Sequence, residues 1–240
     1  YYARTEIMDQ NIGKILNTLE KTGLDKNTLV VYTSDHGEMA GEHHCWFKSL
    51  YYEESASVPM VFRHPEWIKP NTVNKSIVNL LDLGPTFCDL MGAESMDYVS
   101  GHSMGTLLKM GEDPNWEQLT FSEMVNERAL PHPFPSRMIR KDQWKLWVFD
   151  QGLDLPPVLF NLEKDPGEKN DLALDPDHQI IKNDLLGRIF ENWSPERVNA
   201  MISQTTRESR IIHQSEALWD DPQYRVEAPI SLDKTIEILE

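Results

Sequence analysis

The chain has 240 residues, with 39 Asp and Glu against 23 Lys and Arg and a formal net charge of −16. That balance argues against a nucleic-acid backbone as partner, since such binders carry basic patches, and it reads as a solvated acidic surface. A hydrophobic content of 40% can build a sizeable core, and the length allows one domain or two. Cys45 and Cys88 make no disulfide framework and leave the compartment open. No apolar run approaches the roughly 18 residues of a membrane span, so a soluble protein is expected.

Residues 1–22 carry Met8, Ile12, Ile15, Leu16 and Leu19 at helical spacing, and Gly23 suits the residue after a helix end. No capping sequence precedes this pattern, and a chain that starts at Tyr1 inside a helix pattern leads us to expect sequence upstream; no signal peptide opens the chain, which says little for that reason. After the polar Asp25-Lys26-Asn27, residues 29–32 form an apolar, β-branched run of buried-strand length. A helix feeding a strand through a short loop is an α/β unit. The strand ends in Ser34-Asp35-His36-Gly37. In open α/β sheets ligands sit beyond the carboxyl ends of strands, which makes Asp35 and His36 candidates for holding a metal or a substrate group. The plainer alternative is a turn.

Residues 38–55 read as a long polar and aromatic loop, a class that is often functional. Residues 58–63 read as a second strand, and Pro65 to Pro70 break the pattern. A helix follows with Asp82 as its N-cap, Pro85 in its first turn, Phe87, Leu90 and Met91 on its apolar face and Gly92 as its stop. From about residue 95 the signals are loops, at Gly101-His102-Ser103 and Gly111-Glu112-Asp113-Pro114. Short strands are expected at 119–124, 137–140, 145–149 and 158–162, the middle two as a hairpin. The loop 126–135 either shapes substrate choice or is a rigid structural loop. Asp175-Pro176 and Ser194-Pro195 are helix starts. Ile181, Leu185, Ile189 and Trp193 line one face of the first of these helices, and Val198, Met201 and Ile202 mark the second. Beyond about Asp220 the pattern is weak. It is read as a loose tail or as an arm that packs on a neighbour.

Several of these segments together carry a resemblance. Ser34-Asp35-His36-Gly37-Glu38-Met39 is followed by Gly41-Glu42-His43, Trp46-Phe47-Lys48, Tyr52-Glu53-Glu54-Ser55 and Val58-Pro59-Met60-Val61, in that order. This succession resembles the sulfatases of the alkaline phosphatase superfamily. Leu80-Leu81-Asp82-Leu83-Gly84-Pro85-Thr86 matches a further family motif. The run from Leu159 to Leu172 resembles the one that closes the sulfatase C-terminal subdomain. The resemblance is strong over 1–92, good over 137–173 and weak beyond.

It implies an α/β fold. Residues 1–94 would be the C-terminal portion of the alkaline-phosphatase-like sheet domain, 95–174 a small antiparallel sheet packed on a helix, and 175–240 a helical extension through which the protein could form a homo-oligomer. It implies that Asp35 and His36 are the later two ligands of one divalent cation. Calcium comes first by resemblance, with manganese or magnesium behind it, because a nitrogen ligand suits transition metals better. Lys48 matches the lysine that contacts a sulfate oxygen, a task suited to a compact point charge; the alternative is an ordinary surface lysine. His43 would bind substrate or support the metal shell, unless it is a loop histidine with neither role. His44 and Cys45 depart from the commoner Gly-Leu pair, and Cys45 reads as packing rather than nucleophile.

The family nucleophile is a formylglycine made from the first residue of Cys/Ser-x-Pro-x-Arg. Neither cysteine heads that pattern. Pro133-Phe134-Pro135-Ser136-Arg137 has its tail but a proline at the nucleophile position. The nucleophile and two more aspartates are therefore expected in an N-terminal half outside this sequence, which the chain would need as its partner. The implied function is that of the C-terminal part of a sulfatase, inactive alone, acting on a sulfate ester of a small molecule or a sulfated sugar. The alternatives are a phosphonate monoester or phosphodiester hydrolase of the same superfamily, or a non-catalytic binding or structural remnant.

Overall fold

The computed structural model describes residues 1–126, 134–149 and 155–219. Helix α1 spans Tyr2–Thr22 and stops at Gly23, whose φ of 71° lets its N–H reach the carbonyls of Leu19 and Glu20. No residue of α1 is buried, and Met8, Ile15 and Leu16 of its apolar stripe are exposed. The stripe read from the sequence is thus only partly covered among the described residues, at the half-buried Ile12 and Leu19. A 3-10 turn at Leu24–Asn27 leads into β1, Val30–Thr33.

Strand β1 pairs antiparallel with β2, Met60–Arg63, with Val31 opposite Phe62. The sequence pattern implies a buried strand, yet β1 is only half-buried and Tyr32 is exposed. Among the described residues these two strands form a sheet by themselves, each with one unpaired edge. The segment between them is not wholly loop. It contains a 3-10 turn at Glu42–His44 and the single helical turn α2, Glu53–Ala56.

Helix α3, Leu83–Met91, follows a 3-10 turn at Leu80–Asp82 and ends at Gly92 with φ 65°. Its entry adds a second cap to the expected one. The Asn79 side chain accepts from the Leu81 amide at 3.0 Å, while Asp82 Oδ2 accepts from the Asn79 amide at 2.7 Å. Asp82 holds the N-cap position of α3 as expected, but its side chain makes no cap bond there; it serves instead as the reciprocal partner of Asn79, which caps the 3-10 turn in front. The freed Asp82 Oδ1 takes the His102 amide at 2.8 Å. A short helix, α4, at Gly105–Met110 lies where loop was expected; its length is too small for apolar periodicity to show.

The strands β3 (Leu119–Asn126), β4 (Phe134–Lys141), β5 (Trp144–Phe149) and β6 (Val158–Asn161) form an antiparallel sheet in sequence order. The expected 137–146 hairpin turns at Asp142, which has φ 50°, with Lys141 opposite Trp144. Asn126 pairs with Phe134, and the rest of the predicted loop, 127–133, lies outside the described residues. Asp175 caps a 3-10 turn at Pro176–His178, and α5, Gln179–Phe190, packs on β4 and β5 through the fully buried Leu185 and Ile189. Tyr51, Met138, Trp147 and Phe160 form a core cluster. Tyr51 thus carries the loop before α2 down onto the sheet.

The chain divides into Tyr1–Glu191 and Asn192–Glu240, so α5 belongs with the sheet. In the second unit α6 spans Pro195–Trp219, starting where Ser194 Oγ accepts from the Arg197 amide. The tail beyond Trp219 lies outside the described residues. No helix among the described residues is long and apolar enough to cross a membrane.

Candidate active site

Just past β1 the backbone folds back on itself. The His36 amide donates to Asp35 Oδ1 at 3.0 Å and Ser34 Oγ donates to the His36 carbonyl at 2.8 Å. This leaves Asp35 Oδ2 turned toward the His36 ring, 3.5 Å from Nε2. His36 Nδ1 lies 2.7 Å from the Gly37 carbonyl oxygen. A carbonyl only accepts, so Nδ1 carries the proton and Nε2 presents its lone pair. Lys48 Nζ sits 2.7 Å from that lone pair and donates to it.

The loop between them is closed by Glu38, whose Oε1 accepts from the Phe47 amide at 2.6 Å and the Ala40 amide at 3.2 Å. The Met39 amide also donates to the Phe47 carbonyl at 2.8 Å. The polar residues that read as a long loop therefore bring Lys48 back to the strand end. Partial burial pushes the Asp35 carboxyl up. Attraction to His36, in the protonated state of its ring, and hydrogen bonds from the amides of Asp35 and His36 and the Ser34 hydroxyl outweigh it and hold the carboxyl below its ordinary value.

Asp35, His36 and Lys48 are therefore brought together, and His43 is not with them. Its ring stacks on Tyr52 at 3.8 Å, and Nε2 lies 3.9 Å from Glu54 Oε2. His43, Glu54 and Glu168 are the group of metal-ligand type among the described residues, their ligand atoms all within 4.8 Å. Glu168 Oε1, however, already lies 2.9 Å from the Lys145 ammonium, so this cluster contains a cation of its own. Asp35 and His36 offer one oxygen and one nitrogen turned toward a common side, with the imidazole oriented by a backbone carbonyl. Lys48 Nζ holds the Nε2 lone pair here, and once that exposed lysine swings aside the arrangement fits two positions of a divalent cation's ligand set, with the orienting carbonyl the kind of support metal-bound imidazoles have.

The three residues open into a cleft of about 600 Å³, shared with Glu53, Asn79, Ser122, Glu123 and Arg140. None of these five was singled out as a site residue from the sequence. Glu53 stands inside the quoted Tyr-Glu-Glu-Ser run, which was the one available signal. Asn79 reaches the cleft because its Nδ2 donates to Thr120 Oγ1 at 2.7 Å and the Phe121 carbonyl at 2.9 Å, tying the α3 entry to β3. A larger cavity of about 730 Å³ lies by β2 and α4, but it contains none of Asp35, His36 and Lys48.

Residues 41–194 match the family model described as N-sulphoglucosamine sulphohydrolase, C-terminal. Arylsulfatase K of Gallus gallus is 33% identical over 202 residues, which cover 80% of this chain and 36% of that protein. A solved protein in complex with its substrate D-glucosamine-2-N,6-O-disulfate superposes with a TM-score of 0.75 at 28% identity, over 81% of this chain and 41% of that one. The phosphonate monoester hydrolase of Agrobacterium radiobacter superposes with a TM-score of 0.68 at 26% identity, over 76% of this chain and 38% of that one. The chain thus spans well under half the length of each of these relatives.

Proposed function

This chain belongs to the sulfatase family, of which it carries the C-terminal part, and from that premise we propose that the protein containing it hydrolyses sulfate monoesters of a sugar. The observation that carries this reading is the convergence of Lys48 on the Asp35–His36 pair at the mouth of a polar cleft. Asp35 and His36 would hold a divalent cation, calcium first, whose chemistry is to neutralise charge on a sulfate oxygen as a Lewis acid. Lys48 places its ammonium on the same face and holds a second sulfate oxygen. Its charge counts for more as the sulfate oxygens gain charge in the transition state.

The nucleophile, a formylglycine, comes from polypeptide outside these residues, as do the remaining metal ligands, and this chain alone is inactive. Asn79 and Arg140 line the same cleft and are the residues we assign to meet the sugar leaving group. The bound substrate of the structural neighbour, a glucosamine disulfate, is in keeping with a sugar there.

A second reading, phosphonate monoester hydrolysis, is favoured by the likeness to the Agrobacterium enzyme. Turnover of a sulfated hexosamine, an aryl sulfate and a phenylphosphonate monoester by the complete protein separates the two. Sulfate-ester turnover that dominates supports the first reading, and phosphonate turnover that dominates replaces it with the second. Asp35→Ala should abolish turnover and weaken metal binding. Full activity in that variant would refute the site.

A further inference from the structure

Lys145 is an anomaly within its strand. It lies on β5 between Trp144 and Leu146, and its side chain is wholly buried. A buried ammonium is costly unless it is paired and hydrogen-bonded. Lys145 Nζ lies 2.7 Å from Glu53 Oε1 and 2.9 Å from Glu168 Oε1. Glu168 in turn accepts the Glu53 amide on Oε2 at 2.6 Å. Burial pushes the Glu168 carboxyl up, and Lys145 and the Glu53 amide pull it back only in part. Glu53 is thus gripped by both its side chain and its backbone.

Both ion-pair partners of the charge lie outside its sheet, which among the described residues offers it only the Trp147 ring at 6.0 Å. The charge points across to α2 and to the Glu168 loop. α2 is the element on which the Asp35–His36 turn rests, since the Ser55 carbonyl accepts the Gly37 amide at 2.9 Å. Gly37 has no room for a side chain, because a Cβ there would lie 2.0 Å from the Glu54 carbonyl oxygen. Its own carbonyl orients the His36 ring. A continuous line of hydrogen bonds and backbone contact therefore runs from Lys145 through Glu53, α2 and Gly37 to His36. Tyr51 adds a second tie beside it, its hydroxyl donating to the Ser136 carbonyl at 2.9 Å.

We propose that Lys145 is a positioning residue for the Asp35–His36 site: by clamping Glu53 and Glu168 together it sets the place of α2, and α2 sets the metal-ligand turn. The inference rests on the reading of Asp35 and His36 as metal ligands. Neither Lys145 nor Glu168 touches substrate or metal. A lysine that merely supported the sheet would affect melting alone.

The test uses the complete protein carrying this chain, with Mn²⁺ as probe, its binding followed by electron paramagnetic resonance and its turnover of a sulfate ester followed in parallel. Lys145→Met keeps the length and removes the charge. It should weaken Mn²⁺ binding by tenfold or more and lower kcat with KM little changed, and Lys145→Arg should restore part of both. Wild-type Mn²⁺ affinity in Lys145→Met, with only the melting temperature lowered, overturns the proposal. Glu53→Gln carries the same expectations should Lys145→Met fail to fold. Asp35→Ala, measured beside them, distinguishes the two levels. Undiminished Mn²⁺ binding in Asp35→Ala overturns the ligand reading and the positioning role together. Loss in Asp35→Ala but not in the Lys145 and Glu53 variants overturns the positioning role alone.

Discussion

Gly37→Ala offers a direct probe of how the candidate site is held. The added methyl would lie 2.0 Å from the Glu54 carbonyl oxygen, 2.9 Å from its carbon and 3.1 Å from the Ser57 carbonyl oxygen. All three are backbone atoms, so no side-chain rotation relieves the contact. Bringing the nearest one to a tolerable separation requires α2 and the Asp35–His36 turn to part by roughly 1 Å, a displacement that can cost about 10²-fold in rate at a catalytic site. That movement also breaks the 2.9 Å bond from the Gly37 amide to the Ser55 carbonyl. Overpacking of this kind costs about 1–3 kcal/mol and the lost hydrogen bond about 1 kcal/mol more.

A loss of about 2–4 kcal/mol lowers the melting temperature of a domain this size by roughly 5–15 °C. The assay is thermal unfolding followed by circular dichroism, together with turnover by the complete protein. Gly187→Ala is the control, because nothing lies within 4 Å of the Cβ it would add in α5. It should leave melting unchanged or raise stability by up to about 1 kcal/mol. Gly37→Ala that melts and turns over like the wild type would refute the claim that α2 braces the turn.

The other expectations concern the basic residue, the core tie and a helix cap. Lys48→Ala should lower turnover by about 10²–10³-fold, as loss of a transition-state anion contact does, without weakening Mn²⁺ binding; loss of metal binding would make Lys48 part of the metal shell instead. Tyr51→Phe removes a buried hydroxyl bonded to Ser136, whose phenol burial keeps protonated. It should cost about 1–1.5 kcal/mol, some 2–6 °C in melting, and an unchanged melting temperature would count against this tie. Asp175 is held below its ordinary value of 3.8 by the Asp177 amide and by His178, against some burial. A depressed folded value means its charge stabilises the fold above the unfolded value and ceases to do so as pH falls through the folded one. The stability gap between wild type and Asp175→Asn, read from urea unfolding across pH 6 to 3, should therefore close toward acid; a gap that stays constant contradicts the assignment.

Much of the fold was legible in the residues because local rules govern it. Helix α1 and its stop at Gly23 follow from spacing and from the freedom of glycine to take φ 71°. The hairpin of β4 and β5, the Asp175-Pro176 start and the Ser194-Pro195 start were read in the same way. Less local features were missed. The 3-10 turn before α3, capped by Asn79 with the Asp82 carboxylate as its partner, was not foreseen, and α4 is too short to announce itself. The buried-strand reading of β1 failed because burial depends on what lies across a strand, and among the described residues only β2 pairs with it.

For the candidate site, the chemistry on offer is legible along the chain: Asp35, His36 and Lys48 stand in one motif-bearing segment, with the carboxylate and imidazole just past a strand. Packing between distant segments brings Lys48 back to His36 and turns His43 away to stack on Tyr52. It also decided that Lys145, 92 residues beyond Glu53, is joined to it in a buried ion pair. Spacing along a chain reports which groups share a turn or a face. Which distant carboxylate meets a buried ammonium is settled by how the sheet and the α2 turn pack, and no local pattern encodes it.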